Sequence, residues 1–333
     1  MTKIKVAING FGRIGRNLFR LLLEHPEIEV VAINDIADNK TMAHLIKYDS
    51  IHGVLALDCS YDENAIVVGG IRYTFFHEKH ISKLDWKSLD VDYVVEATGK
   101  YKTFDEINAH IVTGAKKVIL SAPSEVDNIK TVVLGVNEHI LDGSETIISN
   151  ASCTTNNAAP MIKVINELCG IEQAYITTVH SYTTDQSLHD QPHKDLRRAR
   201  GASQSIVPTT TGAAKALTKI FPEMDGKIGG SGIRVPVPDG SLTDITCYVK
   251  RTVSIDEINE AFKNASANEL RGIMAYTEDP IVSVDIIGNR NSCLFDSQLT
   301  SVIGKMVKVV GWYDNEIGYS SRIIDLIILT FTK

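Results

Sequence analysis

Residues 3–9 read as a buried strand and run straight into the turn Gly10-Phe11-Gly12-Arg13-Ile14-Gly15, then into a helix carrying Leu18, Leu21 and Leu22 on one face. A second apolar strand over residues 28–34 follows, closed by Asp35. Strand, glycine turn, helix, strand and acid in this order form the signature of a dinucleotide-binding unit at the head of a doubly wound sheet. The glycines let the backbone approach a pyrophosphate, which then sits on a helix N-terminus. Asp35 would accept hydrogen bonds from both ribose hydroxyls, and a 2′-phosphate there would meet like charge, so NAD is expected rather than NADP. A tight turn followed by a capping Asp is the plainer reading, and the complete unit outweighs it. The expected cofactor residues here are Gly10, Gly12, Arg13, Ile14, Gly15 and Asp35.

At 333 residues the chain exceeds what one core usually organises, so two domains are expected. Apolar residues make up 44% and charged ones 23%, without any run long enough to span a membrane, which places the chain among ordinary globular proteins. Residues 1–5 lead directly into the first strand, leaving no room for a cleavable apolar leader. Five cysteines, an odd number without a C-x-x-C pair, point to free thiols in a reducing compartment, so a cytoplasmic location is expected. The net charge of -7 gives no reason to expect nucleic acid as a partner.

Two glycines, Gly69 and Gly70, sit inside a β-rich run over residues 65–73 and predict a hairpin. Apolar strands over residues 92–99 and 117–123 end in small polar residues, with a helix expected over residues 104–113 between them. After a short β-branched run over residues 145–148 comes Ser149-Asn150-Ala151-Ser152-Cys153-Thr154-Thr155-Asn156-Asn157-Ala158. Met161, Ile162, Ile165 and Leu168 recur at helical spacing, so a helix is expected from about Thr154 to Cys169. A thiol at its N-terminus meets orphan N–H groups and the positive end of the peptide dipoles, which favour the thiolate and make Cys153 a candidate nucleophile. Most cytosolic cysteines are merely small buried hydrophobes, but the polar neighbours argue otherwise here.

A β-rich run over residues 174–179 then delivers His180. A single histidine after a strand is most often structural, yet this chain already holds a thiol in need of a base, and imidazole titrates near neutrality. Residues 188–203 are polar and locally basic. The threonine-rich turn Pro208-Thr209-Thr210-Thr211-Gly212 opens a helix with Ala213, Ala216, Leu217 and Ile220 on its apolar face, and offers either simple N-caps or an anion site. Arg234 stands in the apolar run Gly232-Ile233-Arg234-Val235-Pro236 and should meet a carboxylate or a phosphate. Further strands over residues 241–250, 282–287 and 308–313 suggest a mixed sheet, and Ile323, Ile324, Leu326 and Ile327 mark a last helix.

The stretch Ser152-Cys153-Thr154-Thr155-Asn156 resembles, nearly residue for residue, the active-site signature of the phosphorylating glyceraldehyde-3-phosphate dehydrogenases of the NAD-dependent type. The resemblance extends from Ile8 to the C-terminal helix. It implies a Rossmann dinucleotide-binding domain followed by an α+β catalytic domain with a mixed sheet. It assigns His180 as the catalytic partner of Cys153, and places Thr98, Gly99 and Ser121 beside the nicotinamide, with Asn315 on its carboxamide and Tyr319 near the ring. Thr183, Asp185 and Arg234 fall on the site for the substrate's phosphate, and Ser152, Thr154, Thr211 and Gly212 on that for inorganic phosphate. Residues 188–203 look like the family's S-shaped loop, which lies across a subunit interface, so a homotetramer is implied; Pro192 matches the NAD-preferring members.

The chemistry so implied is a covalent one: Cys153 attacks the aldehyde of glyceraldehyde 3-phosphate, hydride passes to NAD, and inorganic phosphate releases 1,3-bisphosphoglycerate from a cysteine thioester. Such a Cys153 would be an accessible, low-pKa thiol. No membrane or metal is implied. Domain bounds of 1–150 and 151–315 are expected, with residues 316–333 returning to the first. Departures from the family pattern are Asn157 for a common cysteine, Thr184 for an asparagine, Asp239-Gly240 for an Asn-Val pair and Ile317 for a tryptophan. An erythrose-4-phosphate dehydrogenase would share fold, cysteine and histidine but typically lacks the threonine-rich turn. A catalytically silent NAD-binding interaction protein would have lost Cys153, His180 or Arg234, and none is lost.

Overall fold

In the computed structural model, which describes residues 3–332, a nine-stranded sheet runs in the order Lys130–Thr131, Ile147–Ser149, Lys117–Leu120, Tyr93–Glu96, Ile4–Asn9, Ile28–Asn34, Ile71–Phe76, Ala65–Val68, Cys59–Tyr61. The strands from Lys130–Thr131 through Ile71–Phe76 pair in parallel, and the last two pairings are antiparallel. Ile4–Asn9 and Ile28–Asn34 are joined by the helix Arg13–Leu22, so the glycine turn opens that helix as expected. The hairpin forms too: Gly69 at φ 57 and Gly70 at φ 80 supply the two left-handed residues that a tight turn between right-twisted strands needs. The helix Phe104–Val112 begins in a reciprocal capping box of Thr103 and Glu106 and buries Ile107 against Val94, Val118 and Trp86.

These elements belong to one compact unit, whose described part comprises residues 3–132, 139–151 and 320–332. The helix Ile317–Phe331 is part of it from Ser320 on: Tyr93 Oη lies 3.1 Å from Thr330 Oγ1, and Lys117 Nζ donates to Thr330 O at 3.2 Å. The expected bounds run onto Met1, Thr2 and Lys333, which lie outside the described residues.

Residues 133–138 and 152–319 form the second unit. Its sheet runs Val207–Thr209, Ile228–Val235, Ile171–Ser181, Ser241–Val249, Met306–Tyr313, Cys293–Asp296, Met274–Thr277, with Ser301–Ile303 also paired to Met306–Tyr313. It is mixed, as expected, because Ile171–Ser181 pairs in parallel with Ile228–Val235 and antiparallel with Ser241–Val249. The helix Cys153–Cys169 buries Ala158, Ala159, Met161, Ile162 and Ile165. Gly311 permits the close approach of helix and sheet, since a Cβ there would stand 2.7 Å from both Met161 Sδ and Cys293 Sγ.

One expected strand is absent. Residues 282–287 hold instead the short helical turn Ser283–Ile286, because Asp285 Oδ2 accepts the Val282 N–H at 2.8 Å and so captures a donor that a ladder would need. Met274–Thr277 and Cys293–Asp296, which the periodicity did not single out, complete the sheet in its place.

Candidate active site

The three glycines of the first unit do different work. Gly10 stands at φ +96 with its Cα so close to the next strand end that a Cβ would fall 2.6 Å from Thr98 N. A Cβ on Gly15 would fall 2.1 Å from Gly10 O, so this glycine lets the helix pack on the turn. Gly12 meets nothing within 4 Å and is the N-cap of the helix, so its face is open space at a helix N-terminus. A cavity of about 220 Å³ lies beside it, lined among others by Asn9, Asn34, Asp35, Thr98 and Tyr101. Open backbone, orphan N–H groups and an acid at the rim suit a dinucleotide. Asp35 holds the turn in shape, accepting Phe11 N at 2.7 Å and Ala37 N at 3.1 Å.

Other expected cofactor residues are placed less simply. Arg13 turns its guanidinium onto buried Asp49, whose carboxyl is thereby held far below the ordinary carboxylate range despite its burial; its side chain is committed to that ion pair rather than directed to a ligand. Ile14 is half-buried on the same turn of helix. Thr98 gives its N–H at 2.9 Å and its hydroxyl to Glu96, and Gly99 follows at φ +69. Ser121 ends the Lys117–Leu120 strand, its N–H on Glu96 O at 2.9 Å.

In the second unit Ser152 caps the helix Cys153–Cys169, accepting Thr155 N at 3.1 Å, which places Cys153 on the first helical residue. Its Sγ lies 3.4 Å from His180 Nε2. His180 is the last residue but one of the Ile171–Ser181 strand and stands in register with Arg234 on the neighbouring parallel strand. Its Nδ1 lies 2.8 Å from Ser181 O and 2.9 Å from Arg234 Nη1, which itself donates to Ser181 O at 3.0 Å and approaches Thr183 Oγ1 at 3.4 Å. A carbonyl only accepts, so Ser181 O draws a proton to Nδ1, whereas Arg234 Nη1 only donates and favours a lone pair there; Nε2 faces the thiol.

Burial pushes the Cys153 thiol up, with Arg234 and the Thr154 N–H pulling it back, and burial together with Arg234 pushes His180 down. The reactivity of the thiol therefore depends on the imidazole beside it as well as on the helix terminus. One proton passing from Sγ to Nε2 converts thiol and imidazole into thiolate and imidazolium without changing the net charge of the pair, so the two groups titrate as a unit.

Around them, Tyr313 Oη bridges Thr154 Oγ1 and Thr178 Oγ1, each at 2.9 Å, with its ring edge-on to His180 at 5.9 Å. Thr154 therefore offers an incoming anion its backbone N–H, not the hydroxyl. Thr211 Oγ1 accepts Ala213 N at 3.2 Å, and Gly212 leaves the helix Ala213–Ile220 open at its start. Asp185 is paired with Arg198, so a phosphate would meet the arginine and not the carboxylate. Arg198 also donates its Nε–H to Thr209 Oγ1 at 2.9 Å and an Nη2–H to Thr210 O at 3.3 Å. Arg198 and Tyr313 were not singled out from sequence; a basic run and a strand tyrosine carry no mark of where they point. Asn315 is buried, its Oδ1 accepting Ser181 Oγ at 2.8 Å and Ser241 Oγ at 2.7 Å, which leaves its NH2 group as the remaining donor. Tyr319 is buried at the start of the last helix.

Residues 4–104 match the NAD binding domain of glyceraldehyde 3-phosphate dehydrogenase, and residues 152–315 its C-terminal domain. Glyceraldehyde-3-phosphate dehydrogenase 2 of Streptomyces avermitilis is 52% identical over 328 residues, 98% of both chains. The enzyme of Geobacillus stearothermophilus is 51% identical over 325 residues and glyceraldehyde-3-phosphate dehydrogenase 1 of Bacillus subtilis 50% over 325 residues, in each case 97% of both chains. The chain belongs to the glyceraldehyde-3-phosphate dehydrogenase family. NAD is its cofactor.

Within this family the departures take on structural meaning. Asn157 donates to Ser292 O at 3.3 Å and Trp312 O at 3.2 Å, two ties that a cysteine would not make. Gly240 stands at φ +83 with Ser283 O only 2.1 Å from where a Cβ would be, so the family's valine has no room in this turn. Nothing in the structure explains Thr184, which is exposed.

Proposed function

We propose that Cys153 and His180 carry, in this chain, the reaction of its family: NAD-dependent oxidation and phosphorylation of glyceraldehyde 3-phosphate to 1,3-bisphosphoglycerate through a thioester on Cys153. The observation that carries the assignment is the 3.4 Å approach of Sγ to Nε2, with Nδ1 held between Ser181 O and Arg234. His180 accepts the thiol proton as sulfur attacks the aldehyde carbon, and the imidazolium then donates to the developing oxyanion. NAD, when bound, supplies the hydride acceptor. His180 takes the hydroxyl proton as hydride departs, leaving the thioester; phosphate attacks its carbonyl carbon, and the sulfur leaves as thiolate.

Arg234 and Thr183, held together beside His180, receive the phosphate of the substrate, with Asp185 acting through Arg198. Ser152, the Thr154 N–H, Thr211 and Gly212 receive inorganic phosphate at two helix starts. In the first unit Gly10, Gly12, Gly15 and Asp35 hold the pyrophosphate and ribose, and Thr98, Gly99 and Ser121 lie toward the nicotinamide; in the second unit Asn315 and Tyr319 are the residues proposed for its carboxamide and ring. The expected domains, residues 1–150 with 316–333 for NAD and 151–315 for catalysis and oligomerisation, differ from the compact units in placing residues 133–138 and 316–319 with the first and residue 151 with the second. A homotetramer is supported by exposed apolar groups on the second unit, among them Tyr175, Tyr248, Ile206 and Leu196. A cytoplasmic location is supported by five free cysteines.

The test is the initial rate of NADH formation from glyceraldehyde 3-phosphate and NAD, with and without inorganic phosphate, beside erythrose 4-phosphate. A phosphate-dependent rate on the triose that vanishes in Cys153→Ser, with NAD binding kept, is expected. Equal turnover without phosphate, or a preference for the tetrose, would overturn the assignment.

A further inference from the structure

The cofactor cavity has a floor that the assigned residues do not account for. Three adjacent strands of the first unit end in register on Asn34, Asn9 and Glu96. All three side chains are buried, and behind them His110, on the helix Phe104–Val112, and Trp86 are fully buried. Glu96 Oε2 accepts Asn9 Nδ2 at 2.5 Å and faces His110 Nε2 at 3.0 Å, while Oε1 accepts the Thr98 N–H at 2.9 Å and the Thr98 hydroxyl. Asn9 Oδ1 accepts Asn34 Nδ2 at 2.7 Å, and Asn34 Oδ1 accepts Glu78 N at 2.8 Å.

The proton positions in this cluster follow from the donors. Trp86 Nε1–H, which only donates, points at His110 Nδ1 at 2.9 Å. Nδ1 must therefore carry the lone pair, and the ring proton sits on Nε2, aimed at Glu96. Trp86 thereby fixes the tautomer of His110. Glu96 is thus a buried carboxylate held by four donors, and none of its lone pairs is free to choose other partners. Thr98, which two of those bonds hold, is the residue whose backbone lies against Gly10, close enough to exclude a Cβ.

We infer that Glu96 and His110 are positioning residues for NAD: His110 orients Glu96, Glu96 fixes Thr98 and Asn9, and these set the height at which the glycine turn meets the pyrophosphate. This rests on the assignment of the cavity to NAD. The route is one of contact, from the imidazole through the carboxylate to the Thr98 backbone and so to the turn, and neither Glu96 nor His110 needs to touch the cofactor.

The experiment measures NAD affinity by calorimetry, well below the melting point, for Glu96→Gln, His110→Ala and His110→Gln in the full-length protein. Glu96→Gln turns an NH2 group toward existing donors, and is expected to raise the NAD Kd about tenfold or more, as loss of a charge-assisted bond does, with kcat at saturating NAD and the KM for glyceraldehyde 3-phosphate changed by no more than about twofold. His110→Ala should weaken NAD comparably, and His110→Gln, which can present an amide N–H to Glu96, should restore affinity to within about threefold of wild type. Equal weakening in both His110 variants, or a Kd within about twofold of wild type in Glu96→Gln and His110→Ala, would overturn the proposal and leave the cluster a stabilising one. Should Glu96→Gln fail to fold, the His110 pair decides alone. Failure of wild type itself to bind NAD would instead strike the cofactor assignment.

Discussion

His180 occupies a position where each neighbour narrows its choices. Ser181 O and Arg234 compete for Nδ1, Arg234 opposes a second proton on the ring, and the Cys153 thiol faces Nε2. Replacing it with Asn should lower kcat about 100- to 10,000-fold, the usual worth of a positioned base, and should slow alkylation of Cys153 by iodoacetamide at neutral pH. Alkylation at the wild-type rate would show that sulfur does not depend on this imidazole. Asp239 makes a different prediction. It is fully buried beside Asp314 and Glu316, which with burial push its carboxyl up to about 8. A folded-state pKa raised above the unfolded value of about 3.9 means that the native state holds the extra proton, so this group's contribution to stability is complete below that value and is lost as pH rises through the folded one. Asp239→Asn should therefore gain on wild type as pH rises, the difference in Tm growing by on the order of a few degrees between about pH 6 and pH 9. A constant difference across that range would contradict the shifted acid.

The glycine turn and its helix separate packing from binding. Gly15→Ala drives a Cβ against Gly10 O and should destabilise by about 2 kcal/mol or more, or relocate the helix. Gly12→Ala meets no protein atom, so Tm should hold to within a few degrees while NAD affinity falls. Parallel loss of both properties in the two variants, read by melting and calorimetry, would show that Gly12 also serves the fold. The helix Cys153–Cys169 offers a similar contrast. Asn157 ties it to the carbonyls of Ser292 and Trp312, and Asn157→Cys, which restores the common family residue, should cost about 1–2 kcal/mol in urea unfolding because two carbonyls lose their donor. An unchanged midpoint would mean that those carbonyls find other partners.

For the whole molecule, the question is what covers the exposed apolar groups of the second unit. Tyr175 and Tyr248 are each about half exposed, at 53% and 52%, on neighbouring strands. If copies of the chain meet there, a Tyr175→Glu, Tyr248→Glu double variant should sediment as a smaller species than wild type and lose thermal stability with it. An unaltered sedimentation coefficient would move the interface elsewhere.

Sequence reading reached the glycine turn, Asp35, the hairpin at Gly69 and Gly70, the helix behind Cys153 and the strand carrying His180, because each is announced by local spacing or by a residue with few conformational alternatives. The threonine-rich turn and Arg234 read as anion-seeking groups, but in the fold Arg234 faces His180 Nδ1, Ser181 O and Thr183. Residues 282–287 misled, since alternating apolar residues look like a strand whether or not Asp285 captures the Val282 N–H. Tertiary structure alone decided that Arg13 goes to Asp49, Asp185 to Arg198 and the Thr154 hydroxyl to Tyr313, and that Glu96, His110 and Trp86 meet beneath the cofactor cavity. The physical reason is the range of the forces involved. Backbone conformation is set by neighbours a few residues away, whereas the partner of a buried polar group, and with it a proton's position and a thiol's reactivity, is set by whatever distant strand the fold brings to within 3 Å.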